Sequence, residues 1–240
     1  PKPQNPILLK SKIFILQFFI LMPTLGYWKT RGIVSNIIYQ LKYQNVDFEL
    51  VEYELVGDAE TGYSNKEWTD VKFTLGLPFP NLPYFIDGDA KITEFLAIHK
   101  YIADKWNPEL LGRDPVERAK VEMLCGVVSD LKWAFSRPCY ASADVAPIVQ
   151  IIKDRLPPIV SFMGANKFLA GDEVTWIDFL MYECTEMMHA LHPDLYLEFP
   201  SLESHHANVA SLPNLSQYLA DPNHRDKHLK FNNKVALILN

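Results

Sequence analysis

The chain has 240 residues, 48% of them apolar, and a formal net charge of −6. That length holds one large domain or two modest ones, and that apolar content excludes a disordered chain. Acids and bases are interspersed, with no basic run or stripe, which excludes a nucleic-acid or anionic-lipid surface.

Residues 1–21 stand apart. The stretch 13–22 is almost wholly apolar and follows Lys2, Lys10 and Lys12. A membrane span needs about 20 apolar residues, and no small-x-small cleavage site follows. Residues 1–21 are therefore read as an apolar extension outside the fold, with membrane contact only if residues 7–22 are an anchor. Thr24-Leu25-Gly26-Tyr27-Trp28 reads as a short strand. Ile33, Val34, Ile37, Ile38 and Leu41 share one face, which predicts a helix over 33–43. Residues 48–53 alternate as a second strand. A polar loop over 57–65 and a short helix carrying Trp68 and Lys72 come next.

Residues 79–95 carry the most information. Leu82-Pro83 stands at the mouth of a strand, where a missing N–H is tolerated and an X-Pro bond is a candidate cis peptide. Asp87-Gly88 marks a tight hairpin turn. Thr93 is the expected N-cap of a helix opened by Glu94 and Phe95 and running to about Lys105. Backbone N–H groups at that helix start make an anion site. The order βαβ-α-ββα gives a parallel pair and an antiparallel pair in one small mixed sheet. That is an α/β thioredoxin-like domain over residues 24–105.

Residues 106–114, with Pro108 and Gly112, read as a linker. Beyond it, residues 116–138, 146–166 and 177–191 carry helical periodicity, and residues 115–240 read as an all-helical domain. Thr175-Trp176-Ile177-Asp178 holds a Thr-x-x-Asp capping box. His189, His192, His205 and His206 have no cysteine or acidic companions at ligand spacing, so no metal site is assigned. Cys125, Cys139 and Cys184, with no C-x-x-C, read as reduced thiols of a cytoplasmic protein.

A small thioredoxin-like domain, a linker and an all-helical domain together make the layout of the cytosolic glutathione transferases. The chain resembles that superfamily, and the Mu class most, in Leu25-Gly26-Tyr27-Trp28 followed by Arg31-Gly32. The likeness continues in residues 75–84, Leu-Gly-Leu-Pro-Phe-Pro-Asn-Leu-Pro-Tyr, and in Ile86-Asp87-Gly88 followed by Lys91-Ile92-Thr93. Residues 174–179 resemble its helix-capping segment. The resemblance runs from about residue 22 to the C-terminus.

It implies that Tyr27 is catalytic, donating its hydroxyl to the glutathione sulfur. A hydrogen bond to the thiolate lowers the thiol's pKa, and each unit is worth about 1.4 kcal/mol. It implies that Trp28, Trp68 and Lys72 hold the glycine carboxylate. Asn81, Leu82 and Pro83 would pair, strand-like, with the cysteinyl backbone. Ile33, Glu94 and Phe95 complete the glutathione contacts, and Asp130 would serve the glutathione held by the other protomer. Thr30, Ile33, Ser136 and Tyr140 would line the electrophile pocket, and Phe79 would anchor a homodimer. Glutathione is then a co-substrate, with no permanently bound cofactor or metal.

Two departures from that pattern matter. Asn65 stands where the family has an arginine, and Lys66 beside it could substitute, without a bidentate clamp. Glu94-Phe95 stands where the Mu class has Gln-Ser. Phe95 keeps the backbone N–H and lacks the serine hydroxyl. A hydrogen bond to a charged group is worth about 1.5–3 kcal/mol, or about tenfold to a hundredfold in affinity. The ring's bulk is also expected to crowd the site. The resemblance thus implies a transferase that conjugates the glutathione thiolate to hydrophobic electrophiles. The alternative is a non-catalytic scaffold subunit with weakened or lost glutathione binding, and a third reading is a glutathione-dependent isomerase.

Overall fold

The computed structural model describes residues 22–240; the extension or anchor expected over residues 1–21 lies outside them. The chain opens with β1 (Thr24–Trp28), α1 (Ser35–Tyr43) and β2 (Glu49–Tyr53). A hairpin of β3 (Val56–Asp58) and β4 (Gly62–Ser64) leads to α2 (Lys66–Val71). Then come β5 (Tyr84–Asp87), β6 (Ala90–Thr93) and α3 (Phe95–Trp106). The main sheet has the order β2-β1-β5-β6, with β1 and β2 parallel and the other pairs antiparallel. Both halves expected from the sequence are present.

Two local expectations need correction. The polar loop over 57–65 is a hairpin, because the Asp58 carboxylate accepts from the Glu60 and Thr61 backbone N–H groups (3.0 and 2.8 Å) and closes the turn. Thr93 is not an N-cap. It ends β6, paired with Tyr84, and Glu94 takes the cap position with φ +69° and ψ +110°. A non-glycine residue in that sparsely populated region stores about 1–3 kcal/mol of strain. The Leu82–Pro83 bond is cis. Gly26 is required by close approach: a Cβ there would lie 2.1 Å from the Tyr84 ring.

The helical domain comprises α4 (Pro115–Ser136), α5 (Ala146–Met163), α6 (Trp176–Leu191), α7 (Leu195–Glu198), α8 (Pro200–Ala210) and α9 (Leu215–Ala220). α6 is its buried axis, with Trp176, Ile177, Phe179, Leu180 and Met181 fully sealed. Its start is held by Asp178, which accepts from the Thr175 backbone N–H (2.8 Å), the Leu169 N–H (2.9 Å) and His205 (2.9 Å). Helix does not continue to residue 240. Pro222 pushes Asp221 into the extended region (φ −65°, ψ +118°). Beyond it, one short turn (Arg225–Lys227) interrupts an irregular strap that crosses the thioredoxin-like domain. No helix among the described residues is long and apolar enough to cross a membrane.

The two domains meet along α1, α3 and α6. Arg31 reaches Glu183 of α6 through Nε (3.0 Å) and Nη2 (2.6 Å). His99 of α3 lies against Trp176, with ring centroids 5.2 Å apart. Burial pushes the His99 pKa down to about 3, so the ring is neutral. A neutral imidazole donates once and accepts once. Gln40 is fixed by its donation to the His99 carbonyl (3.0 Å), so its oxygen takes the Nδ1 proton. Asn36 Oδ1 stands 2.6 Å from the accepting Nε2, so the Asn36 amide is turned over to present its otherwise unpartnered NH2.

Candidate active site

The end of β1 and the turn into α1 present Tyr27. It is 8% exposed, and its hydroxyl accepts from the Ile33 backbone N–H at 3.4 Å. Burial raises the phenol's pKa well above its ordinary value, opposed by the Ile33 N–H and by the Arg225 charge. The group therefore stays protonated at neutral pH. Among the described residues the hydroxyl accepts from Ile33 and donates to no partner. Gly32 makes room for this: at φ +50°, a Cβ would meet the Tyr27 hydroxyl at 2.6 Å.

The tryptophans expected along the glutathione edge are linked to one another by aromatic contacts. Trp28 packs edge-on to Tyr53 (6.5 Å), and Tyr53 packs on Trp68 (5.3 Å), which stacks on Tyr84 (6.0 Å). Lys72 caps α2, with its backbone N–H on the Trp68 carbonyl (2.9 Å), so the two share a face. Leu82 enters no backbone hydrogen bond among the described residues. Asn81 donates to Glu94 (3.3 Å), which joins the edge to the start of α3.

Three expectations for individual residues change. Phe95 does not crowd the site. Its ring is 6% exposed and turned into the domain interface, against Trp133 (6.2 Å) and His99 (6.4 Å). Lys66 does not stand in for the missing arginine beside Asn65, because it pairs with Asp70 one turn along (2.6 Å). Thr30 is committed to the strap, with its hydroxyl on the Lys230 carbonyl (2.7 Å). It lines a neighbouring cavity of about 270 Å³ with Trp28 and Tyr53, not the one that holds Tyr27.

Ile33, Ser136 and Tyr140 do meet Tyr27, around a cavity of about 70 Å³. Sequence reasoning missed what else is there. The strap supplies Phe231 and Asn232 to the same cavity. Its carbonyls accept from Arg31 N–H (Lys230, 2.8 Å) and Gly32 N–H (Phe231, 2.9 Å), and Phe231 lies under the Arg31 guanidinium (4.1 Å). Arg225 donates to the Thr30 carbonyl (2.6 Å), the Trp28 carbonyl (3.3 Å) and Glu52 (2.7 Å). No periodicity marks these strap residues. Lys132 also lines the cavity, and a signal for it existed: a lysine on the buried stripe of α4 that carries Val128, Leu131 and Phe135. Asp130 and Phe79 lie away from the cavity, both exposed.

Residues 23–104 match the family model for the glutathione S-transferase N-terminal domain, and residues 145–222 match that for the C-terminal domain. The chain is 37% identical over 202 residues to the class-mu 26 kDa glutathione S-transferase isozyme of Schistosoma japonicum, covering 82% of this chain and 88% of the relative. It is 36% identical over 199 residues to glutathione S-transferase Mu 1 of Bos taurus, covering 81% and 89%. Among solved structures, the glutathione S-transferase Blo t 8 superposes with a TM-score of 0.79 at 28% identity, covering 90% of this chain and all of that one.

Proposed function

Since the chain belongs to the glutathione S-transferase family, we propose that Tyr27 is the residue through which it activates the glutathione thiol. The protein is a glutathione transferase, Mu-like in its relatives, that joins the glutathione sulfur to hydrophobic electrophiles. Nothing in its fold or site favours the non-catalytic alternative. The observation that carries the role of Tyr27 is its hydrogen-bonding state: a buried, protonated phenol, with Ile33 N–H on its oxygen, has one proton to give. Given to a thiolate, that proton stabilises the anion. The thiol's own proton leaves to solvent, and the sulfur lone pair attacks the electrophilic carbon.

Trp28, Trp68, Lys72, Asn81, Leu82, Pro83, Glu94 and the Phe95 N–H are the proposed glutathione contacts, supported by the free backbone at Leu82 and the shared face of Trp68 and Lys72. Ile33, Ser136 and Tyr140 are the proposed electrophile wall. The test is calorimetric titration with glutathione, followed by the ultraviolet thiolate absorbance of the complex. Tyr27→Phe should raise the bound thiol's pKa by about 1–2 units, the equivalent of one hydrogen bond to a charged group. An unchanged thiolate titration would reject the assignment.

We also read the protein as a homodimer. Phe79 is 78% exposed, a large ring with no cover of its own. Met123, Leu124 and Val127 of α4 and Pro158, Ile159 and Phe162 of α5 line an apolar groove of about 200 Å³ that suits such a ring. Met123, Val127 and Asp130 follow one another at helical spacing, so the face that would receive Phe79 also carries the aspartate proposed to reach the other protomer's glutathione. Phe79→Asp should yield monomers in sedimentation equilibrium; a persistent dimer would reject the anchor. The unpaired state of Cys125, Cys139 and Cys184 supports a cytoplasmic location.

A further inference from the structure

A lysine side chain lies on the wall of the Tyr27 cavity. Lys132 is 3% exposed and shares that cavity with Tyr27, Ser136 and Tyr140. Lysines are almost never fully buried unless paired, because a charge removed from water needs a partner. Among the described residues its one hydrogen bond is to the Gly32 carbonyl, at 3.4 Å, and it forms no salt bridge. Glu183, whose charge interacts with it, is already held by Arg31 (2.6 Å) and the Tyr39 hydroxyl (3.2 Å). A lysine carries three N–H donors, so Lys132 has donors to spare. One turn along α4, the Ser136 hydroxyl is buried with no partner. Two residues with under-used donors therefore line the cavity that contains the Tyr27 phenol.

We propose that Lys132, with Ser136, stabilises the negative charge that develops on an electrophile's oxygen as the thiolate adds. The pocket accordingly favours compact α,β-unsaturated aldehydes and ketones over electrophiles that expel a halide. This rests on the transferase reading of the same site. At about 70 Å³ the cavity is small, so the attacked carbon and the oxygen must be close, as they are at the two ends of a conjugated carbonyl. The sulfur lone pair forms the C–S bond at the β-carbon, and the C=C electron pair shifts to give an enolate. The enolate oxygen accepts from Lys132 Nζ and Ser136 Oγ. Solvent then returns to the α-carbon the proton that the thiol had released, and the carbonyl re-forms. Fixed donors aimed at a developing oxyanion cost no reorganisation at the moment of reaction.

The test compares kcat/KM for methyl vinyl ketone with that for benzyl chloride, whose charge leaves as halide. Turnover of benzyl chloride by the wild type, measured first, separates failure of this proposal from failure of the transferase reading. Lys132→Met should lower the ketone-to-chloride ratio about 100-fold, the effect of losing one oxyanion donor, and Lys132→Arg should restore most of it. A ratio that does not move would overturn the proposal and leave Lys132 as a brace for the Gly32 loop. Should Lys132→Met fail to fold, Ser136→Ala gives the same readout. It should lower the ratio several-fold, and an unchanged ratio there overturns the proposal equally.

Discussion

Replacing Phe95 with serine should tighten glutathione and loosen the protein at once. The hydroxyl gained would donate to the γ-glutamyl carboxylate beside the free N–H groups of α3, a gain of about 1.5–3 kcal/mol, or about tenfold to a hundredfold in Kd. The ring lost is one that packs on Trp133 and His99 between the domains. Truncating a buried phenylalanine costs about 3–5 kcal/mol. For a chain of this size each kcal/mol moves Tm by about 2–4 °C, so a fall of about 6–20 °C is expected. Isothermal titration with glutathione and scanning calorimetry read the two effects separately. Phe95→Ala supplies the control, with a similar loss of Tm and no gain in affinity. Serine that binds no tighter than alanine would refute the hydroxyl argument. A Tm within about 3 °C of the wild type would refute the packing argument.

Gly32→Ala places a methyl group against the Tyr27 hydroxyl in a backbone conformation that alanine resists. It should lower kcat about tenfold, by roughly the 1.4 kcal/mol that a displaced hydrogen bond represents; an unchanged kcat would mean the phenol tolerates the shift. Arg225→Met removes the donor that ties the strap to the Trp28 and Thr30 carbonyls and to Glu52. Thermal unfolding should report a loss of about 2–3 kcal/mol, and kcat/KM should fall as the Tyr27 loop loosens; a variant as stable as the wild type would leave the strap without this role. His99 supplies a pH dependence. Its folded pKa of about 3 lies below the unfolded value near 6.5. Between those values the unfolded chain binds the extra proton, so stability is complete above about pH 6.5 and falls by about 1.4 kcal/mol per unit as the pH drops toward 3. His99→Gln should flatten that slope by one proton, and an unaltered slope would assign the titration elsewhere.

The sheet was legible because its signals are local. Val34, Ile37, Ile38 and Leu41 make a helix face within one element, and Asp87-Gly88 makes a turn within four residues. The turn against the Tyr27 hydroxyl was legible for a related reason: Gly32 and Ile33 are its neighbours in sequence, whereas most of the rest of its cavity comes from α4, α6 and the strap. The orientation of Phe95 was not legible. A ring at the first position of a helix can turn toward the ligand or the interface, and the choice is made by Trp133, a residue of the other domain. Thr93 failed as a cap because its pairing with Tyr84 in the ladder outweighs a capping preference worth about 1 kcal/mol. The strap was invisible because many of its bonds run through backbone carbonyls, which any residue supplies. Lys132 could have been noticed as a charge on an apolar stripe, the local conflict that marks function more often than error.

The strap also sets a clock. Thr30 and Lys230, which bond to each other, are separated by 200 positions in the chain. At ribosomal speeds of about 5–20 residues per second, the first emerges about 10–40 s before the second. Once Trp106 has emerged, the nascent thioredoxin-like domain has its strands, its edge and its phenol. The Arg31 and Gly32 N–H groups still lack their acceptors, and the Tyr27 cavity lacks the side of its wall formed by Phe231 and Asn232. Translation therefore delivers the Tyr27 phenol early and the enclosure of its cavity late.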